Sequence, residues 1–497
     1  MADTKLLAGL DIGTTSCKIS IFDPSGTYLG SASREYPAER TSSAHEIDPV
    51  LLREAVFSVI SEAAKRFPGI AGIGITSFGE TFVLLDRHGN PLLPAMLYTD
   101  PRGSEETALL SGLLGEERII HITGVAPSPM YSLPKLMYVK SHMPEVFEKT
   151  ARICLMEDYI VGTLTGNWQI DYSLAARTMA FDIHSLTWSQ DMLDAAGINA
   201  GLLSTPVPTG TAAGRIHPAL AGDLGLPRDT VIVSISHDQV AAAVGSGVLD
   251  AEYTVDGAGT VECLTPVFSA YDEAGMAKNN YCIVPFLNGQ YVTYAFSYTG
   301  GALIRWFTTQ LAGYASAEAK AVGKSVYDLL EGAPDGQPTG LLVLPHFAGA
   351  ATPYMDGGSR GAILGLTLSH TEQDIYRALM EGVCYEMRLN QEHLLKSGIS
   401  LSPLRATGGG ARSRVWLQMK ADILGVPVTA LETPEAGAAG SAMFVGTALG
   451  VFPSIEAAAA QMITERETFL PRPDAASRYD EVYARYRRVY DAVRPLV

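Results

Sequence analysis

Apolar residues in the first hundred positions come in short runs broken by turn residues, which predicts strands rather than long helices. Leu6 to Ile12 and Cys17 to Asp23 are two such runs, with Pro24-Ser25-Gly26 supplying the turn after them. Tyr28 to Tyr36 alternates weakly and reads as a third strand. Asp48-Pro49 then offers a helix cap and a proline at the first helical position. Leu52, Val56, Val59, Ile60 and Ala63 follow at helical spacing, and Ile70 to Thr76 returns to strand. The predicted order is β-β-β-α-β.

A similar opening recurs half a chain later. Tyr253 to Ala258 and Val261 to Pro266 flank Gly259-Thr260, much as the first two strands flank Gly13-Thr14-Thr15. The recurrence fits either two related α/β halves or two coincidental Gly-Thr turns. Val248 to Asp250, after the small-residue stretch Gln239 to Ser246, is the expected boundary. It divides the chain into domains 1–247 and 248–497 joined by a tight hinge. Ala436 to Ile455 is a long uncharged run rich in Gly and Ala. Its small residues carry little transfer energy into lipid, so a packed internal helix is expected there instead of a membrane span.

The 497 residues suggest two to four domains at roughly 150 residues each. A hydrophobic fraction of 47% with 18% charged residues excludes a disordered chain. The net charge of −17 comes with no basic stripe that could collect phosphates, so nucleic acid is not an expected partner. The five cysteines, Cys17, Cys154, Cys263, Cys282 and Cys384, lie far apart, as reduced thiols of a cytoplasmic protein would. The first ten residues lack the features of a signal peptide. These features together point to a cytoplasmic protein without a membrane partner.

Four segments carry candidate chemistry. Asp11 to Ser16 ends a strand with a glycine and hydroxyls that can donate to phosphate oxygens, and Asp11 could hold a metal through water. A hairpin turn with polar caps fits the same residues. Gly408-Gly409-Gly410 precedes a helix containing Trp416, Met419, Ile423 and Leu424. It is either a flexible loop or a bare floor for a flat ligand, and it is neither a dinucleotide fingerprint nor a Walker A sequence. Asp238 closes the apolar strand Val231 to Ile235 and opens a helix, which suits a base or a helix cap equally. Thr76 to Thr81 is a polar cluster at a strand end, or a surface turn.

Taken in order, these segments resemble the FGGY carbohydrate kinase family, leaning toward its xylulose kinase branch. The resemblance runs from Leu6 to Gln461. It includes the Asp11–Thr15 turn, Ile75 to Thr81, Tyr98-Thr99-Asp100-Pro101-Arg102, and Asp158 to Ser173. In the second half it includes Pro345 to Tyr354, Gly361 to Leu366, Glu381-Gly382, and Gly408 to Val428. It implies two actin-like, ribonuclease-H-like α/β domains with a central cleft, an N-terminal one for sugar and a C-terminal one for nucleotide. It implies ATP and Mg2+ as cofactors and a small sugar or polyol as acceptor, and it permits a homodimer. By position, Asp238 resembles the general base and Asp11 the magnesium-positioning carboxylate. Thr14, Thr15, Gly259, Thr260, Gly301 and Arg305 resemble phosphate contacts, and Gly409, Gly410 and Ala411 the adenosine floor. Arg414 stands where relatives often have Asn. Phe78, Glu80, Tyr98 and Gln239 are the expected acceptor contacts, with D-xylulose first among acceptors. Glycerol kinases usually show Arg-Glu where this chain has Gly79-Glu80. An actin-like ATPase that switches a protein-binding surface is the alternative from another class.

Overall fold

The computed structural model describes residues 5–41, 43–333, 335–432 and 435–497. Residue packing divides it into two units. The first contains residues up to 249 with 282–292 and 435–463, and the second contains the rest.

In the first unit the predicted strands are Leu6–Ile12 (β1), Ser16–Phe22 (β2) and Tyr28–Glu35 (β3). Helix α1 (Pro49–Arg66) starts where Asp48 Oδ1 accepts the Val50 N–H at 2.8 Å. It buries Leu52, Val56, Val59, Ile60 and Ala63 on one face, as their spacing requires. Ile70–Ser77 is β4, and Thr211–Arg215 and Val231–His237 are β5 and β6. Two short strands that the apolar pattern does not reveal, Ala38–Arg40 and His45–Ile47, interrupt the order before α1. Only Ile47 is buried among their six residues, too little apolar signal for a strand prediction.

The sheet runs β3-β2-β1-β4-β6-β5. β1 pairs antiparallel with β2 and parallel with β4, and β4 pairs parallel with β6. β1, β4 and β6 therefore end at the same edge, delivering Asp11, the Phe78–Glu80 segment and Asp238 there. Helix α2 (Asp238–Gly245) follows β6 directly.

The second unit repeats this plan. Thr254–Ala258 (β7) and Glu262–Phe268 (β8) form an antiparallel pair around Gly259-Thr260, and Ala295–Ser297 (β9) adds to β8. Helix α3 is Gly301–Gln310 and α4 is Glu372–Lys396. Leu404–Thr407 (β10) lies parallel to β7, and Val428–Leu431 (β11) parallel to β10. Between them runs α5 (Arg414–Leu424), and Glu465–Phe469 (β12) closes the edge antiparallel to β11. Strand for strand, the order and polarity of β9-β8-β7-β10-β11-β12 match those of β3-β2-β1-β4-β6-β5. The two Gly-Thr turns are thus equivalent positions in related sheets.

The uncharged run forms α6 (Ala436–Ala448), an internal helix of the first unit. A Cβ on Gly440 would overlap Ala241 O, and one on Gly245 would overlap Ala436 O. Glycine here permits backbone contact between α2 and α6 that no larger residue allows. This packing, with that of 282–292, makes the first unit discontinuous in sequence, unlike a single division after residue 247. No helix among the described residues is long and apolar enough to cross a membrane. All five cysteines are buried thiols.

Candidate functional site

The edge where β1, β4 and β6 end gathers most of the first unit's candidate residues. His237, the last residue of β6, caps α2: its Nδ1 accepts the Gln239 N–H at 3.4 Å. Burial pushes the His237 imidazolium down to about 3, so the ring is neutral at physiological pH and Nδ1 is free of a proton. Asp238 is consequently the first residue of the helix and not its cap. Its Oδ1 lies 3.2 Å from His237 Nδ1 and, among the described residues, carries no protein hydrogen bond. Burial raises the Asp238 carboxyl to about 6, with Gln239 and Arg177 pulling the other way. A carboxylate poised near neutrality with an undonated oxygen is equipped to accept a proton.

Asp11, at the end of β1, is raised further, to about 7, by burial and by the carboxylates of Asp238 and Glu435. Glu435 forms an ion pair with Lys18. The Gly13 N–H closes the following turn onto Ser16 O at 2.9 Å, and Tyr36 OH bonds Gly13 O. Thr14 is half-buried and Thr15 exposed in this turn.

Phe78 is buried, its N–H bonded to Ile12 O at 3.1 Å, which ties the end of β4 to that of β1. Glu80 adopts a φ of 63°, a left-handed conformation that a non-glycine residue holds only when its surroundings enforce it. Ser132 Oγ bonds its carbonyl at 2.6 Å, and Arg177 Nε donates to its Oε1 at 2.5 Å, with the Arg177 Nη2 paired to the same oxygen. Arg177 also lies over the Tyr131 ring, 5.2 Å from its centroid. Tyr98 faces both Glu80 and Asp238, whose charges add to the effect of burial in holding its phenol above the usual range. Phe78, Glu80, Tyr98, Asp238 and Gln239 therefore share one neighbourhood with Asp11.

In the second unit, Gly259-Thr260 is fastened to the start of α3. Gly301 N donates to Gly259 O at 2.8 Å, and Gly300 N and Ala302 N both donate to Thr260 O at 3.0 Å. The Gly301 N–H thus braces the turn, and Arg305, one turn on, is exposed. The Gly408–Gly410 loop packs directly on this turn, since a Cβ at Gly408 would stand 2.6 Å from Ala258 O. A Cβ on Gly409 would meet nothing within 4 Å, whereas one on Gly410 would stand 2.8 Å from Ala258 Cβ, so only the middle glycine of the three borders open space. Ala411 is buried in the short turn Gly410–Arg412, and Ser413 caps α5 through the Trp416 N–H at 3.0 Å. Arg414 is largely exposed and paired with Glu467 at 2.6 Å.

Beneath the Gly259-Thr260 turn lies a buried charge cluster. Lys420 on α5 donates to Asp256 Oδ2 at 2.6 Å and is paired with Glu262, all three residues being almost fully buried. Asp256 belongs to β7 and Glu262 to β8, so one ammonium ties both strands of the turn to the helix behind the glycine loop.

Sequence reasoning missed Arg177, Tyr131, His237 and Glu435 on the acceptor side, and Lys420 and Glu262 beneath the turn. Glu262 and Lys420 had a signal, as charges at positions that otherwise face a core. Arg177 had none, because its partner lies 97 residues away.

The N-terminal domain of the FGGY family of carbohydrate kinases matches residues 6–245, and the C-terminal domain of that family matches 267–449. The chain is 28% identical over 500 residues to a xylulose kinase of Bacillus subtilis, covering 99% of this chain and 98% of the relative. It is 30% identical over 506 residues to a glycerol kinase of Symbiobacterium thermophilum, covering 98% and 97%. The crystal structure of a gluconate kinase from Lactobacillus acidophilus shares the fold, with a TM-score of 0.88 at 24% identity and coverage of 99% and 98%.

Proposed function

The chain belongs to the FGGY family of carbohydrate kinases, ATP-dependent enzymes that phosphorylate an alcohol group, and we propose that its acceptor is a small sugar or linear polyol, with D-xylulose first. The single observation that carries the mechanism is Asp238, which follows the helix cap His237, is raised to about 6, and has an Oδ1 without a hydrogen-bond donor among the described residues.

A sugar hydroxyl is a weak nucleophile. Asp238 accepts its proton as the oxygen forms a bond to the γ-phosphorus and the bond to the ADP oxygen breaks. General-base help of this kind contributes about 10² to 10⁴ in rate. Glu80, Gln239 and Tyr98 bond the acceptor's other hydroxyls, and Phe78 packs beside the carbon chain. Such contacts orient the acceptor for in-line transfer, which is most of what phosphoryl transfer asks of a protein.

In the first unit Thr14 and Thr15 offer hydroxyls to a phosphate group, and in the second unit Gly259 and Thr260 are the corresponding positions. Gly409, Gly410 and Ala411 form the adenosine floor, with Gly301 bracing the turn and Arg305 and Arg414 available at its rim. The residues fit a magnesium ion, since burial and two neighbouring carboxylates hold Asp11 in a state that a divalent cation relieves. Asp11 would hold it, and when bound the ion neutralises charge on the transferring phosphate. The net charge of −17 suits a small-molecule partner, and the sparse cysteines suit the cytoplasm.

A coupled ADP-release screen over ketopentoses, pentitols, tetritols, glycerol and hexonates tests this reading. The expected result is ADP release that depends on the sugar and is fastest with D-xylulose. Sugar-independent ATP hydrolysis, unchanged across the panel, would overturn it in favour of a nucleotide-switched protein.

A further inference from the structure

Arg177 reaches the acceptor site from an unexpected direction. It follows the short helix Tyr172–Ala176, yet its side chain lies against Gly79. A Cβ at Gly79 would stand 3.0 Å from Arg177 Cβ and Cγ and 3.1 Å from His237 Cδ2, tighter than side chains normally accept. The missing side chain at 79 is therefore the space in which Arg177 runs. Its guanidinium ends on Glu80 Oε1, packs over Tyr131, and lowers the neighbouring Asp238 carboxyl.

We propose that Arg177 is a positioning residue that determines acceptor specificity: it takes the place left by Gly79, fixes Glu80 as a charge-compensated hydroxyl acceptor, and commits the site to an uncharged polyhydroxylated substrate. This inference rests on the kinase reading above and narrows its substrate class.

The charge balance around the site carries the second half. Arg177 is matched by Glu80, and Arg102 by Asp100 and Glu46. Lys135, which faces Glu80, is buried and donates to the carbonyl oxygens of Pro129 and Met130. Arg177 and Arg102 are thus matched by carboxylates, Lys135 bonds only neutral carbonyl oxygens and Arg40 acts on Tyr98 from its own side, while Asp238 and Asp11 add two carboxylates. An aldonate would bring a third carboxylate into the same neighbourhood, where like charges at low dielectric repel strongly. A neutral ketose or polyol meets fixed hydroxyl acceptors instead. A site built that way strongly rejects ligands that cannot fill its hydrogen bonds.

The test is a double-mutant cycle, read by steady-state kinetics with D-xylulose, glycerol and D-gluconate as acceptors. Turnover of the panel by the unmodified enzyme tests the kinase reading itself, and the ratios between variants test Arg177. Arg177→Ala is expected to raise KM for the neutral acceptor by about tenfold or more, from the loss of a charged hydrogen bond, while KM for ATP stays within about twofold. Gly79→Arg alone is expected to impair the enzyme through collision with Arg177. Gly79→Arg combined with Arg177→Ala is expected to recover most of the lost acceptor affinity, which a merely structural role for Arg177 would not produce. Gluconate is expected to be the poorest acceptor. Unchanged acceptor KM in Arg177→Ala, no recovery in the double variant, or preference for gluconate over both neutral acceptors would overturn the inference.

Discussion

The Nδ1 of His237 lies 3.2 Å from Asp238 Oδ1 but spends its lone pair on the Gln239 N–H, so the histidine caps the helix and gives the aspartate no proton. The cap and the proposed base are therefore two adjacent residues. The proposed base is the one whose protonation changes near neutrality, because burial holds His237 at about 3 and Asp238 at about 6.

A pH profile follows from that separation. Asp238 must be ionised to accept a proton, so kcat/KM is expected to rise as pH increases through about 6 and to level off above it. His237→Asn keeps a capping acceptor and is expected to retain this acid limb, with stability within about 1 kcal/mol of the parent. Loss of the limb in that variant would assign the titration to the histidine instead.

The buried cluster under the second Gly-Thr turn makes a stability prediction. Lys420→Met leaves Asp256 and Glu262 facing each other without a cation, at an expected cost of about 3–5 kcal/mol. Adding Asp256→Asn and Glu262→Gln to Lys420→Met is expected to recover much of the loss. Denaturant unfolding of the single and triple variants measures both.

The phosphate turns predict a nucleotide phenotype. Thr15→Ala and Thr260→Ala each delete a hydroxyl from a turn that the Gly13–Ser16 or Gly301–Gly259 backbone bond continues to brace. Each is expected to weaken ATP binding or slow turnover several-fold, at about 1 kcal/mol per lost hydrogen bond, with melting temperature little changed. Isothermal titration with a nonhydrolysable ATP analogue checks the binding half. Normal affinity and turnover in both variants would remove the phosphate-turn assignment.

Much of this fold was legible because its signals are local. The β-β-β-α-β order rests on apolar runs such as Leu6 to Ile12 and on Asp48-Pro49, each readable within a few residues. The matching Gly-Thr turns also pointed to the repeated sheet. What was not legible depends on partners distant in the chain. The Gly-Ala run at 436–448 announces close packing but not that Gly440 meets Ala241. Glu80 is expected as an acceptor contact only through the family resemblance, and its bonds to Arg177 leave no mark in the sequence. Asp238 could not be told from a helix cap by sequence, since aspartate suits both positions; the cap is His237, an unusual residue for that role.

Asp238→Asn is the most direct test of the account. The substitution keeps size and most hydrogen bonding and removes the capacity to take a proton. With His237 already capping the helix, folding and ATP affinity are expected to stay near normal. Turnover with D-xylulose, or with whichever acceptor is best, is expected to fall by about 10² or more. Melting temperature, nucleotide affinity and turnover measured on one preparation separate these effects. A well-folded, ATP-binding Asp238→Asn variant with near-normal turnover would contradict the central claim.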